Sequence, residues 1–341
     1  MQLTNDQFAL IKQQFATLKE RSAFYAAKFE GIDLSDVQTQ EDFEKLPFSE
    51  KDDLRNAYPL GLQAVPDEEI VRIHSSSGTT GTPVIIPYTQ QDVTDWAIQF
   101  ARCYETAGIT NRDRICLRKG VIGSERWGDK MRQRIAGELG VEIYDIYGLT
   151  EVYGPGIGIS CDEHHGMHIW DDYVYVEVVD PDTGAPVPDG EVGELVLTTL
   201  RKQGAPLIRY RTHDLTRIIP GDCKCGFGHR HPRIDTLTGR TDDMFKVKGC
   251  NIFPAQVEEV IAATDGTSSE YQVMIENISG KDVLTVLFET PLQDEAKARA
   301  EEELALIFKA KCGCTPDAKG VPMGELPRSE KKTKRIFDSR Y

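Results

Sequence analysis

The sequence predicts an α/β protein with a large N-terminal α/β domain, residues 1–239, and a small C-terminal α+β domain, residues 240–341. Two observations predict this class. Amphipathic helical stripes and segments of period-two alternation are mixed before the boundary, and helical and strand patterns alternate after it. A chain of 341 residues is long enough for two or three domains, each with its own core.

The N-terminal domain begins with a predicted helix, which Asn5 is placed to cap. A second helix is predicted after Thr89, because Thr89 and Asp92 have the spacing of a capping box. Each helix has one apolar stripe, which we interpret as a core face. The stripes are Phe8, Ile11, Phe15 and Leu18 in the first helix and Val93, Trp96, Phe100 and Cys103 in the second.

Strands follow from Tyr173 onward. YVYVEVV and ELVLTTL alternate with period two and are joined by the turn-rich DPDTGAPVPDGEVG. The boundary between domains is predicted near 240–243, within GRTDDMFKVKG. In the C-terminal domain, Pro254 opens a helix, YQVMIENI and DVLTVLFET predict two strands, and a charged helix runs from about Asp294 to Lys311.

The formal net charge of −15 argues against a nucleic-acid partner, because phosphate backbones call for a basic stripe. The sequence has no apolar run of about 18 residues that would predict a membrane span. The start, MQLTNDQFALIKQQF, lacks the regions of a signal peptide. We therefore expect a cytoplasmic protein. Its eight cysteines are then expected to be reduced thiols or metal ligands.

In the stretch HSSSGTTGTPVIIPYT, residues 74–89, positions 75–81 carry five hydroxyls and two glycines before a predicted strand. Glycine lets the backbone approach a ligand closely, and hydroxyl and N–H donors form an array suited to phosphate oxygens. The loop is not a Walker A motif, because the Gly-Lys-Ser/Thr ending is absent. A plain Ser/Gly linker is the alternative. The candidate phosphate-binding residues are Ser75, Ser76, Ser77, Gly78, Thr79, Thr80 and Gly81.

Four further motifs follow in order: YGLTE (147–151), YRTHD (210–214), GRTDD (239–243) and PRSEKKTKR (327–335). Together with the hydroxyl-rich loop, they resemble the adenylate-forming acyl-CoA synthetase superfamily, and most closely its phenylacetate–coenzyme A ligase family. The resemblance implies a two-step reaction. A carboxylate attacks the α-phosphate of ATP to give an acyl-adenylate, and the thiol of coenzyme A then displaces AMP. It also implies Mg²⁺ as a cofactor.

The resemblance implies a role for each motif residue. Residues 75–82 would clasp the β- and γ-phosphates, although the family lysine near Thr82 is absent here. Glu151 would bind Mg²⁺ and Thr150 the α-phosphate. The remaining assignments are Asp145, Ile146, Tyr147 and Gly148 around adenine, with Tyr147 stacked on it, Asp214 at the ribose diol, Arg240 at the adenylate, Asp242 as the domain hinge, and Lys332 as the cation bridging carboxylate and α-phosphate. A basic tail containing Lys331 and Lys334 is the alternative for Lys332.

Two cysteine-containing clusters suggest a structural zinc site. One is CDEHHGMH, which starts at Cys161, and the other is Cys223-Lys-Cys225. Thiolate and imidazole ligands from two such clusters fit tetrahedral zinc. His168 is preferred over His165 as the fourth ligand, since it begins a predicted strand. Buried thiols without metal are the alternative.

The chain passes from RDRIC (112–116) directly to LRKGVIGSERW (117–127), where members of this family carry further strands and helices. The N-terminal domain is therefore incomplete relative to the family, with a gap expected at residues 116–117. Either residues of the natural protein are missing from this sequence, or the chain is a naturally reduced member. A sheet with such a gap would expose apolar edges, so poor folding, a homodimer over the gap or loss of acid selection is expected.

Three functions remain open. The leading one is an aryl-acid CoA ligase, whose partners are a phenylacetate-like carboxylic acid, ATP and coenzyme A. The second is an adenylating ligase with another acceptor, as in the coenzyme F390 synthetases, and the third is a nucleotide-binding remnant without acid selection. The retained motif residues, Lys332 above all, favour an enzyme, because a binding module has no use for the bridging cation.

Overall fold

The computed structural model describes residues 2–33, 36–76, 83–109, 118–123, 129–226, 231–278, 280–327 and 335–340. The chain forms two compact units. The first contains Met1–Ser124 and Glu142–Leu237, and the second contains Glu125–Val141 and Thr238–Tyr341. Both units mix helices with sheets, so the α/β class predicted from the sequence is confirmed. Among the described helices, none is both long enough and apolar enough to cross a membrane.

The first unit contains five helices and eleven strands within the described residues. The helices are α1 (Asn5–Arg21), α2 (Ala23–Lys28), α3 (Gln40–Glu44), α4 (Lys51–Asn56) and α5 (Gln90–Thr106). The strands are β1 (Ile70–Ser75), β2 (Ile85–Thr89), β3 (Lys119–Gly123), β4 (Glu142–Leu149), β5 (Gly154–Ser160), β6 (Met167–Ile169), β7 (Val174–Val179), β8 (Gly193–Thr199), β9 (Tyr210–Thr216), β10 (Ile218–Ile219) and β11 (Arg233–Ile234).

The second unit contains three helices and seven strands within the described residues. The helices are α6 (Asp129–Leu139), α7 (Pro254–Ala263) and α8 (Asp294–Cys312). The strands are β12 (Gly239–Arg240), β13 (Phe245–Val247), β14 (Cys250–Ile252), β15 (Tyr271–Ile278), β16 (Lys281–Glu289), β17 (Asp317–Val321) and β18 (Ile336–Asp338).

The starts of α1 and α5 test the capping predictions. The prediction that Asn5 caps α1 was wrong. Thr4 is the cap, because its hydroxyl accepts from the Gln7 N–H while the Gln7 side chain accepts from the Thr4 N–H. At α5 the predicted capping box of Thr89 and Asp92 is confirmed, with reciprocal bonds of 3.0 and 3.1 Å.

The first unit is built on two main sheets. One has six strands in the order β10-β11-β6-β5-β4-β3, in which only the β4–β3 pairing is parallel. In the other, β7, β8 and β9 are antiparallel neighbours. Every residue of β7 and β8 is buried, so both faces of these strands are covered. Their period-two sequence pattern is instead typical of a strand with one face exposed to solvent. Helix α5 packs on β5, where the Trp96 indole donates to the Pro155 carbonyl at 2.8 Å.

A buried ion pair joins the start of β9 to β7 and to the N-terminal helices. The Arg209 guanidinium binds both carboxylate oxygens of Glu177 at 2.9 and 3.2 Å, and neither side chain is more than 5% exposed. The same guanidinium donates to the carbonyl of Leu46 at 2.9 Å and to that of Glu44. Arg209 therefore ties the end of α3 to the sheet.

In the second unit, β15 and β16 form an antiparallel pair that is flanked by parallel strands, in the order β17-β16-β15-β18. Helices α7 and α8 pack over this sheet, and their buried residues include Val260, Ile261, Leu304 and Phe308. Pro254 is the first residue of α7, as predicted from its position. Helix α8 starts at Asp294, as predicted, and ends at Cys312, one residue beyond the predicted end.

Replacing Arg209 tests the buried ion pair. Arg209→Met should lower the free energy of unfolding by about 3–5 kcal/mol, because it leaves the Glu177 carboxylate buried without its cation. Urea denaturation followed by circular dichroism measures the change. The double variant Arg209→Met/Glu177→Leu should be closer to the wild type than Arg209→Met alone, since no orphan charge remains. A double variant that is less stable than the single one would contradict this explanation.

Candidate nucleotide site and thiol cluster

Strand β4 carries four of the predicted adenine-site residues in order. Asp145 donates its backbone N–H to the Ser160 hydroxyl at 2.9 Å, and Ile146 pairs with β5. A β-bulge follows between Tyr147 and Gly148. A Cβ at Gly148 would lie 2.0 Å from the carbonyl oxygen of Gly154, so only glycine fits this close approach of two strands.

The structure brings YGLTE and YRTHD together. The Tyr147 hydroxyl donates to Oδ2 of Asp214 at 2.7 Å, and both residues are buried. Tyr147 lies on the six-stranded sheet and Asp214 on β9 of the other sheet, so this hydrogen bond joins the two sheets. A ribose diol bound by both oxygens of Asp214 would therefore share one of them with the tyrosine.

Glu151 lies in the turn after β4 and is nearly fully buried. Its Oε1 is 3.2 Å from the ammonium of Lys51, at the start of α4. The hydroxyl-rich loop lacks the lysine that the family usually carries near Thr82. Lys51 supplies a positive charge near Glu151. Mg²⁺ is usually held by one or two carboxylates together with phosphate oxygens, so the buried Glu151 carboxylate, which follows Thr150 in the chain, fits this ion.

The hydroxyl-rich loop starts and ends on the antiparallel strands β1 and β2. At its base, the Ser76 hydroxyl accepts from the Val84 N–H at 2.9 Å, and the Ser75 hydroxyl donates to the Ser76 carbonyl at 3.1 Å. The remaining candidates of this loop, Ser77, Gly78, Thr79, Thr80 and Gly81, lie outside the described residues.

Strand β2 also reaches the turn that carries Glu151. Tyr88, which is fully buried, donates its hydroxyl to the carbonyl of Tyr153 at 3.0 Å. Strand β2, into which the hydroxyl-rich loop leads, is thereby joined to the turn that follows β4. The shared nucleotide site remains a prediction.

Lys202, in the connection between β8 and β9, is buried behind the same turn. Its ammonium donates to the Val152 carbonyl and lies 4.0 Å from the centre of the Tyr88 ring. Burial lowers the pKa of Lys202 to about 7, although the charges of Asp92 and Glu151 oppose the shift. Sequence reasoning missed Lys51, Tyr88 and Lys202, because single polar residues outside a motif give no pattern to read.

Two further candidates, Arg240 and Asp242, belong to the second unit. The Arg240 guanidinium binds the Asp242 carboxylate through Nε at 2.8 Å and Nη2 at 2.9 Å. The two residues lie at β12 and in the short 3₁₀ turn that follows it. Their predicted roles at the adenylate and at the hinge remain predictions. Lys332, like Lys331 and Lys334, lies outside the described residues.

The four predicted zinc ligands form one buried cluster. One ligand atom from each of Cys161, His168, Cys223 and Cys225 lies within 4.8 Å of the others. The Cys161 and Cys223 sulfurs are 3.6 Å apart, and Sγ of Cys225 is 3.3 Å from Nε2 of His168. Zinc bonded tetrahedrally at its usual distances would separate two sulfurs by about 3.8 Å and a sulfur from a nitrogen by about 3.6 Å. The four residues therefore fit this ion.

His168 is oriented by a hydrogen bond outside the cluster. Its Nδ1 is 3.2 Å from the carbonyl of His231, so a proton on Nδ1 leaves Nε2 to face Cys225. His231 is held in turn by Asp171, at 2.7 Å. Burial lowers the pKa of His168, which favours the neutral imidazole. The alternative ligand, His165, instead uses its carbonyl to accept from Arg233. The structure forms no disulfide among the cysteines it describes.

The sequence matches the AMP-binding enzyme family over residues 111–200 and the AMP-binding enzyme C-terminal domain over residues 249–340. Phenylacetate–coenzyme A ligase of Escherichia coli K12 is 34% identical, with 94% of this chain and 91% of the relative covered. The Pseudomonas putida enzyme of the same name is 33% identical, with 91% and 88% covered. The chain belongs to the phenylacetate–coenzyme A ligase family.

The chain shares its fold with a crystal structure of 2-hydroxyisobutyryl-CoA ligase in the postadenylation state. Its TM-score is 0.81 at 21% identity, with 98% of this chain and 89% of that chain covered. The alignment with the E. coli relative runs over 403 residues, whereas this chain has 341. Some residues of the relative therefore have no counterpart in this chain. Cys116 and Leu117, where the gap was expected, lie outside the described residues.

The burial of Lys202 predicts a pH dependence of stability. Its pKa is about 7 in the folded chain and about 10.4 when unfolded, so the unfolded state binds more protons between these values. The free energy of unfolding should then rise with pH in this window, by up to about 1.4 kcal/mol per pH unit relative to Lys202→Met. Urea denaturation of both proteins at pH 6–9 measures the difference. Parallel curves for the two proteins would contradict the shifted pKa.

Proposed function

We propose that this protein activates an aryl carboxylic acid of the phenylacetate type, first to an acyl-adenylate with ATP and then to an acyl-CoA thioester. AMP and pyrophosphate are the other products. The observation that carries the proposal is the hydrogen bond between Tyr147 and Asp214, since it joins two nucleotide motifs in one unit. The names of the curated relatives support the acid and the thiol.

In this reaction each residue has a physical task. The Asp214 carboxylate accepts hydrogen bonds from the ribose diol, and Glu151 with Thr150 holds the metal and the α-phosphate. Mg²⁺, when bound, stabilises charge on the phosphate oxygens. Lys51 adds a positive charge beside Glu151, where the hydroxyl-rich loop is short of basic residues. Lys332 bridges the attacking carboxylate and the α-phosphate, a role that follows from the resemblance.

ATP–pyrophosphate exchange tests the proposal. Wild-type protein should catalyse exchange with phenylacetate, and a scan over benzoates and short fatty acids should give weaker rates. Asp214→Asn should weaken nucleotide binding roughly ten- to hundredfold, because a charge-assisted hydrogen bond contributes about 1.5–3 kcal/mol. Asp235→Asn is the matched control, since Asp235 pairs with Arg217 at 2.8 Å outside the site, and it should exchange at the wild-type rate.

The outcomes separate the candidate functions. Exchange followed by thioester formation supports the CoA ligase. Exchange without transfer to coenzyme A would indicate another acceptor. ATP binding without pyrophosphate exchange for any acid would indicate a nucleotide-binding remnant. This outcome is tested because the chain lacks residues that its relatives have.

We propose further that Cys161, His168, Cys223 and Cys225 bind one structural zinc ion. The distances within the cluster and the orientation of His168 support this, as does the burial of all four residues. The ion would tie β6 and the end of β5 to the loop between β10 and β11. A closed Cys₃His set leaves no position for substrate, so its contribution is to stability.

Protein purified without chelator should contain about one zinc ion per chain, as measured by inductively coupled plasma mass spectrometry. Cys225→Ser should lose most of this zinc and melt at a lower temperature, because the ligand set is then incomplete. Cys103→Ser, which alters a buried thiol outside the cluster, should keep its zinc. Equal metal content in the Cys225→Ser variant and the wild type would refute the assignment.

A further inference from the structure

Two buried side chains contact the back of the turn that follows β4. This turn, residues 149–153, is closed by a hydrogen bond from the Val152 N–H to the Leu149 carbonyl at 3.2 Å. Tyr88 donates to the carbonyl of Tyr153, and Lys202 donates to the carbonyl of Val152. The two acceptors are the carbonyl oxygens of the two residues that directly follow Glu151. The backbone of the turn is therefore held by two buried side chains.

The polar heads of Tyr88 and Lys202 are enclosed within the first unit. Tyr88 is 0% exposed and Lys202 is 1% exposed, so neither head is open to solvent. Their polar heads instead face main-chain carbonyls of one turn, and the Lys202 ammonium lies against the Tyr88 ring at 4.0 Å. Burying a lysine is costly, and packing alone would be served equally well by an apolar side chain.

Lys202 is itself held in place by α5. The Asp92 carboxylate accepts from the backbone N–H groups of Gln203 at 2.7 Å and Gly204 at 2.8 Å. A Cβ at Gly204 would lie 2.4 Å from the Pro87 carbonyl oxygen, so this segment is pressed against β2. Residues 202–204 consequently form a fixed support on which the ammonium is presented to the turn.

We propose that Lys202 and Tyr88 are positioning residues for Glu151: they fix the peptide groups after it, so that its carboxylate keeps the orientation in which it meets the Lys51 ammonium and can bind Mg²⁺ with the nucleotide. The first part of this proposal concerns the turn alone. The second part rests on the function proposed above. A displacement of about 1 Å in a group that positions a substrate is enough to impair a reaction. Residues that only support Glu151 can therefore affect function.

Hydrogen exchange tests the first part without reference to activity. Lys202→Met and Tyr88→Phe should each speed the exchange of the amide hydrogens of residues 149–153 in the unliganded protein. Tyr175→Phe is the matched control, because Tyr175 is a fully buried tyrosine whose hydroxyl bonds Gln40 in another part of the unit. It should leave exchange in the turn unchanged. Tyr88→Phe keeps the ring, so it remains informative if Lys202→Met fails to fold.

Metal dependence tests the second part. With ATP present, both variants should need about 10–100-fold more Mg²⁺ for half-maximal pyrophosphate exchange, the usual effect of removing a group that orients a metal ligand. The KM for the acid should change little, which a general loss of structure would not produce. Mn²⁺ binding in the presence of ATP, measured by electron paramagnetic resonance, should weaken by the same factor.

The outcomes distinguish the two proposals. If the wild type shows no pyrophosphate exchange with any acid, but the variants speed amide hydrogen exchange in the turn and weaken Mn²⁺ binding, the proposed reaction fails and the positioning role stands. If both variants fold, keep slow amide hydrogen exchange in the turn and retain wild-type metal dependence, the positioning role is overturned. Faster exchange in Tyr175→Phe as well would also overturn it, since the effect would then belong to any lost buried hydroxyl.

Discussion

The hydrogen bond between Tyr147 and Asp214 is the interaction on which the candidate nucleotide site depends. Each residue lies near the end of a strand in a different sheet, and the distance of 2.7 Å leaves little freedom between the two sheets. A carboxylate that accepts from a phenol is stronger than a neutral acceptor, and burial strengthens the contact further. The residues proposed to contact adenine and ribose are thus held at a fixed separation in the absence of a nucleotide.

Several buried polar side chains of the first unit bind main-chain partners. Asp92 binds two N–H groups of the β8–β9 connection, Arg209 binds two carbonyls near α3, and Tyr88 and Lys202 bind carbonyls after β4. Buried side chains that satisfy backbone groups fix irregular segments, which have no ladder of their own. Glu151, the proposed ligand of Mg²⁺, lies on such a segment, so its geometry depends on these partners.

Elements with a strong local pattern could be predicted from the sequence. The capping box at Thr89 and the start of α7 at Pro254 follow from nearest-neighbour chemistry, and the cysteine spacing pointed to the right cluster. The position of Thr4 as the cap of α1 could have been read from Gln7, three residues later. Lys51 and Lys202 could not be predicted, because what marks them is burial or proximity in the folded chain. The pairing of Tyr147 with Asp214 likewise exists only after two sheets have formed.

The N-terminal helices make their decisive contacts with residues that are synthesised much later. The amide of Gln7 donates to the carbonyl of Asp171, 164 residues away, and that of Gln14 to the carbonyl of Lys202, 188 residues away. Arg209 reaches Glu44 across 165 residues. During translation, α1 can pack early on Phe29, whose ring stacks on Phe15, but its bonds to Asp171 and Lys202 form only after those residues have left the ribosome. We expect the part of α1 that these later residues cover to stay accessible to chaperones over this interval.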